Sequence, residues 1–214
     1  MKKSSLTEAT REFSLDAHRL QNFSELVNLR SLVDDEKDLL ILFKAVSFER
    51  LFSTSFLNPP FSQSRFRRPH ERGVFYASAE IETAMAEVAF HRHTFLNSSK
   101  SSTATSVTMA SLSAQLHGQL LDVELLGDKE AIYSTESYEH AQSLASEVRA
   151  ESIPGIHYLS VRSKPRKSNF AIFDPRILRP VEGLSRFWVA TFSLDKIEFH
   201  SPDSTLTFDP KTWS

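Results

Sequence analysis

The sequence predicts an α+β fold rather than a doubly wound sheet. Three observations carry this. Helical and strand-like segments are interspersed without the regular strand–helix–strand alternation of a doubly wound sheet. The 214 residues are 40% hydrophobic and 24% charged, enough apolar mass for one sizeable core. No segment repeats itself, so a solenoid or propeller is not indicated.

In chain order, the first 14 residues are polar and read as a frayed end. From Leu15 to Val33, apolar residues such as Phe23, Leu26, Val27 and Leu29 recur at helical spacing. Asp34-Asp35-Glu36 then supply acidic residues suited to a helix start, and Glu36 to Phe48 reads as a second helix. Residues 1–50 are therefore expected to form an N-terminal helical extension. Pro59-Pro60 and Pro69 mark an extended stretch in which helix is disfavoured.

The core is expected over residues 51–182. Val74 to Ser78 is a short strand, and Glu82 to about Phe95 a helix. Val107 and Met109, then Leu112, Ala114 and Leu116, alternate as in a strand with one bulge, and Leu120 to Val123 reads as a further short strand or turn. Ser134 begins a helix with Tyr138, Ala141, Ala145 and Val148 on one face, ending near Ala150. Gly155 to Val161 and Asn169 to Phe173 are strands, the latter stopped by Asp174-Pro175. Phe187 to Phe192 and Lys196 to His200 supply strands for residues 183–214, packed on the core.

Composition removes several classes of chemistry. Without cysteine there are no disulfides, thiol nucleophiles or Cys-ligated metals, which fits a reducing, cytoplasmic setting. Five glycines cannot build a Gly-rich phosphate loop, and no Gly-x-Ser-x-Gly elbow exists. The longest apolar run, Leu39 to Phe43, is too short to span a membrane, and Met1-Lys2-Lys3 leads into polar residues rather than a secretory signal. A formal net charge of −2 argues against non-specific binding to nucleic acid or anionic membrane.

Two features stand out against this background. Arg65, Arg67, Arg68 and Arg72 cluster in one segment, and Arg162, Lys164, Arg166 and Lys167 in another. They read as solvated loops or as an anion site, for which the planar guanidinium fork is suited. Glu87 lies in a helix lined by Ala84, Met85, Ala86, Val88, Ala89 and Phe90. A carboxylate there calls for a partner or a use. His91 shares its helix face, but no third ligand is spaced for a metal.

Taken in order, Arg65-Phe66, Gly73-Val74-Phe75-Tyr76 and Glu82-Thr83-Ala84-Met85-Ala86-Glu87-Val88 resemble the opening half of the RES domain, named for its Arg, Glu and Ser. Gly155-Ile156-His157-Tyr158-Leu159-Ser160-Val161-Arg162 and Asn169-Phe170-Ala171-Ile172-Phe173-Asp174-Pro175 resemble its closing half. The agreement runs over roughly Phe52 to Pro180. Arg67 stands where family members often carry Asn, and Pro165-Arg166-Lys167-Ser168 replaces a Gly-rich turn.

The resemblance implies a mixed-sheet core with flanking helices, similar to ADP-ribosyltransferases, and a toxin that degrades NAD by cleaving its nicotinamide–ribose bond, with water or phosphate as acceptor. Transfer of ADP-ribose to a macromolecule, or a binding protein with a structural Arg65–Glu87 pair, are the alternatives. By position, Arg65, Tyr76, Glu87, Ser160 and Asn169 match the family's site residues. Glu87, Arg65 and Tyr76 are the expected catalytic set. Arg65, Tyr76, Ser160 and Asn169 are expected to bind substrate, with Arg65 on the diphosphate and Tyr76 facing the nicotinamide ring. Ser160 is a hydrogen-bonding residue rather than a nucleophile, because no base is spaced to activate it. NAD enters as substrate, and neither a cofactor nor a metal is called for. The implied partner is an Xre-like, helix-turn-helix antitoxin covering the active site. A homodimer is compatible with this, and neither direct nucleic-acid binding nor membrane association is implied.

Overall fold

A computed structural model describes residues 6, 8–14, 20–25, 56, 63–99, 103–181 and 186–213. Ten strands form one sheet: β1 (Thr10–Ser14), β2 (Leu20–Glu25), β3 (Phe75–Ser78), β4 (Thr105–Asp122), β5 (Gly155–Leu159), β6 (Ser168–Ile172), β7 (Leu178–Pro180), β8 (Arg186–Phe192), β9 (Ile197–Ser201) and β10 (Ser204–Phe208). Among the described residues, three α-helices accompany them: α1 (Ile81–Ser98), α2 (Lys129–Ile132) and α3 (Glu139–Ala150). Strand order is β10-β9-β8-β4-β2-β3-β6-β5, with β1 and β7 also paired to β4. β5 returns to pair in parallel with the end of β4, through Leu121↔Ile156 and Asp122↔His157. Strands β4, β2, β3, β6 and β5 therefore make a closed circuit of pairings.

The N-terminal expectations are corrected. Thr10–Ser14 is not frayed but pairs with β4 from Thr10↔Leu121 to Ser14↔His117. Leu20–Glu25, expected within a helix, is a strand with six registered partners on β4, from Leu20↔Ala114 to Glu25↔Met109. Four apolar residues at helical spacing are a weak signal beside a long strand that offers an open edge. The expected helix Glu36 to Phe48 lies outside the described residues.

β4 also departs from expectation. It runs unbroken for 18 residues, and its registers with β2 and β8 hold without a slip, so there is no bulge and no separate strand at Leu120. The alternation changes phase because residues 109–114 are buried on both faces. Small side chains at Ala110, Ser111, Ser113 and Ala114 permit this two-sided packing.

The apolar side chains form three clusters. Phe66, Ile132, Leu144, Val148 and Ile156 pack beneath α3, while Phe75, Leu116, Leu120, Phe170 and Ile172 fill the middle of the sheet. Met85 and Ala89 of α1 pack on Trp188, Phe192 and Phe199 of β8 and β9. Gly155 is required by close approach, because a Cβ there would lie 2.8 Å from the Ala171 carbonyl oxygen. Helix α3 starts later than Ser134. The Ser134 hydroxyl instead accepts the Glu136 and Ser137 N–H groups in a turn that leads into the helix.

A buried polar chain ties three strands together. His157 Nδ1 lies 2.8 Å from Asp122 Oδ1, and its Nε2 lies 2.9 Å from Ser168 Oγ. The sequence of groups is that of a hydrolase triad, but Asp122 and His157 are 1% and 4% exposed. The rings of Phe13 and Phe170 lie 4.8 and 5.2 Å from the imidazole. Burial holds His157 below its ordinary pKa, with Asp122 acting in the opposite direction. The folded state thus binds this proton less readily than the unfolded chain. Stability from this site is present above about pH 6.5 and is lost as pH falls through the folded value. Melting curves should show the stability gap between wild type and His157→Gln narrowing from pH 7 to pH 5. A gap that widens would contradict a neutral His157.

Candidate active site

The β3–β6–β5 register builds the site. Asn169 is opposite Ser78 on one side and Tyr158 on the other, so three polar side chains form a row across three strands. Ser160 follows β5 directly, and its N–H continues the ladder to the Lys167 carbonyl at 2.8 Å. Helix α1 buries Ala84, Met85, Ala86 and Ala89, and brings Glu87 to this row.

Glu87 Oε1 accepts two hydrogen bonds, from Ser160 Oγ at 2.6 Å and from Asn169 Nδ2 at 2.8 Å. Ser78 Oγ donates to Asn169 Oδ1 at 2.6 Å, which fixes the amide so that its nitrogen faces the carboxylate. Tyr158 stands opposite Asn169 in the register, and burial together with the Glu87 charge keeps its phenol protonated. This network answers the cost of placing a carboxylate among apolar helix residues. Oε2 receives no hydrogen bond from the described residues.

Contrary to the expectation from spacing, a base does stand beside Ser160: Glu87 is 2.6 Å from its hydroxyl. The hydroxyl is nevertheless unsuited to attack. It is fully buried, and it accepts from the N–H groups of Arg162 at 3.0 Å and Ser163 at 3.2 Å. Both lone pairs are thereby occupied. Ser160 orients the carboxylate and shapes the turn after β5.

Arg65 sits in the loop before β3. Its Nη1 donates to the carbonyls of Ile132 at 2.7 Å and Ser134 at 2.9 Å, and its guanidinium lies 5.0 Å from the Tyr138 ring centroid. No direct Arg65–Glu87 ion pair occurs, so a purely structural pair is not what joins these residues to the fold. Arg67, the departure from the family pattern, is buried rather than solvated, with Nε 3.4 Å from Ser64 Oγ. Arg68 is fastened to α3 through Ser143 and Ser146.

Tyr76 is tied to the loop that carries Arg65. Its hydroxyl shares a 2.8 Å hydrogen bond with Ser64 Oγ and accepts the Phe66 N–H at 3.1 Å. The hydroxyl is thus engaged on both sides of Arg65, and burial pushes its pKa up. It positions the arginine loop. Tyr76→Phe should leave the Phe66 N–H without this partner and cost about 1–3 kcal/mol. We expect a lower melting temperature, and unaltered stability would refute the positioning role.

The second basic segment is a fastened loop. Arg162 lies 3.3 Å over the Phe90 ring, Lys164 donates to the Thr212 carbonyl, Arg166 lies 5.2 Å from the Tyr133 ring centroid, and Lys167 pairs with Glu80. Among the described residues, no group of three or more His, Asp or Glu side chains could hold a metal, and His91 is exposed.

The RES domain model matches residues 46–190, about two-thirds of the sequence. The chain belongs to the RES domain family. Among solved structures, this RES chain is similar to one described as the M. tuberculosis MbcT–MbcA toxin–antitoxin complex. Identity is 9%, the TM-score is 0.52, and the match covers 99% of this chain and 96% of that one. At that identity the likeness concerns the fold, and it confirms the mixed-sheet architecture predicted from sequence. No curated protein sequence matches the chain. The RES match includes the segments that carry Arg65, Tyr76, Glu87, Ser160 and Asn169. Ser78, Tyr138, Tyr158 and Arg162 join them in the structure and were not singled out as site residues from sequence. No helix among the described residues is long and apolar enough to cross a membrane.

Proposed function

We propose that the chain degrades NAD by cleaving its nicotinamide–ribose bond, as a toxin of the RES family. The observation that carries this reading is Glu87, with one oxygen anchored by Ser160 and Asn169 and the other unoccupied by the described residues. Nicotinamide leaves as a neutral base from a cationic pyridinium, so no acid is required at the leaving group. Positive charge passes to the ribose and gives an oxocarbenium-like transition state. A fixed carboxylate stabilises that charge most where it is greatest, which lowers the barrier rather than merely tightening binding.

In this reading Glu87 Oε2 faces the ribose, and Arg65 binds the diphosphate through the part of its guanidinium not engaged by the carbonyls. Ser160 and Asn169 hold the carboxylate, and Ser78 holds Asn169. Water or phosphate then accepts the ribosyl cation. The similarity to a toxin–antitoxin complex supports an antitoxin partner, and the family pattern supports an Xre-like one that covers the site. A cytoplasmic setting is part of the same proposal.

Product analysis tests the acceptor. Free ADP-ribose from NAD signifies hydrolysis, its 1″-phosphate signifies phosphorolysis, and label on protein or RNA signifies transfer. Hydrolysis or phosphorolysis is expected. Label appearing only on macromolecules would replace this reading with the transferase.

A further inference from the structure

Arg162 belongs to the same site, and nothing in its position requires it for the sheet. Its guanidinium lies 3.3 Å over Phe90 of α1, close enough to Tyr138, Glu87 and Arg65 for each to act on its charge. The ring of that same tyrosine lies 5.0 Å from Arg65. Its backbone N–H supports Ser160, the residue that holds Glu87. Two guanidinium groups therefore lie in one neighbourhood with the carboxylate, Arg65 against Tyr138 and Arg162 against Phe90.

Neither of them forms an ion pair with a carboxylate among the described residues, whereas Arg11, Arg68, Arg149 and Arg176 each do. Burial pulls Arg162 below its ordinary range, Glu87 acts against that, and Arg65 adds like-charge repulsion. An anion between the two arginines would relieve that repulsion. A single phosphate satisfies one planar fork, whereas a diphosphate offers separate oxygens and charge to two.

We propose that Arg162 and Arg65 together clamp the diphosphate of a dinucleotide substrate. The proposal rests on the NAD-cleaving reading, and it makes the diphosphate, not only the scissile bond, a requirement for efficient turnover. The clamp separates NAD from nicotinamide riboside, which has the same scissile bond and no phosphate.

The test compares kcat/KM for these two compounds in wild type, Arg162→Ala and Arg162→Lys. Arg162→Ala should lower kcat/KM for NAD by roughly 10–100-fold, chiefly through KM, from loss of a charge-assisted contact. Its rate on the riboside should stay near that of wild type. Lysine should restore only part, since an ammonium has neither the fork nor the planar stacking surface. Calorimetric binding of ADP-ribose gives a second readout, weakened to a similar extent by Arg162→Ala. Equal losses on both substrates would show that Arg162 merely holds the loop, and undiminished NAD turnover or ADP-ribose affinity would also overturn the clamp. A wild-type chain inactive on both compounds would remove the NAD reading, and this proposal with it.

Discussion

Glu87→Gln should lower NAD cleavage by roughly 10²–10⁴-fold while leaving the fold almost undisturbed, because it deletes charge that matters at the transition state. The structure explains why folding should survive. Oε1 accepts from Ser160 and Asn169, and a glutamine carbonyl can accept the same two bonds. Only the charge and the second oxygen change. Turnover by initial rate and unfolding by melting curve check the two halves separately. Near wild-type turnover would remove Glu87 from the chemistry, and a collapse in stability would mean the charge serves the fold instead.

Arg65→Ala is expected to have the other large effect, and of a different kind. The diphosphate it is proposed to bind is charged in the ground state, so its loss should raise KM more than it lowers kcat. Loss of charge-assisted bonds worth about 1.5–3 kcal/mol corresponds to roughly 10–100-fold in kcat/KM. The substitution also strips the carbonyls of Ile132 and Ser134 of their partner, so the segment leading into α3 should loosen. Arg65→Lys separates the effects by retaining a charge without the fork. If KM were unchanged and kcat alone collapsed, Arg65 would belong to the chemical step.

The motif-bearing elements were legible because their local signals agree with their place in the sheet. Val74 to Ser78, Gly155 to Val161 and Asn169 to Phe173 appear as β3, β5 and β6 within one or two residues, and the Glu87 helix as α1. Leu20–Glu25 was misread because its strand character comes from pairing with β4, a partner more than eighty positions away. The phase change in β4 was misread as a bulge because the sequence does not reveal a strand covered on both faces.

The site divides in the same way. Glu87 was conspicuous as a carboxylate in an apolar helix, and Arg65 as part of a cluster. Ser78 and Tyr158 gain their importance only from the register that sets both opposite Asn169. Arg162 looked like one charge in a basic loop until the fold laid it on Phe90. Tyr76 was conspicuous by its position, but a sequence does not show that Ser64 and Phe66 hold its hydroxyl.

The most direct test of the central claim is nicotinamide release from NAD by the full chain, with wild type and Glu87→Gln measured side by side at matched folded concentration. The account predicts release by wild type, with one ribosyl product formed for each nicotinamide, and a loss of that release in the variant by at least about a hundredfold. Intact NAD after prolonged incubation with folded wild-type protein, or equal release by both chains, would contradict it.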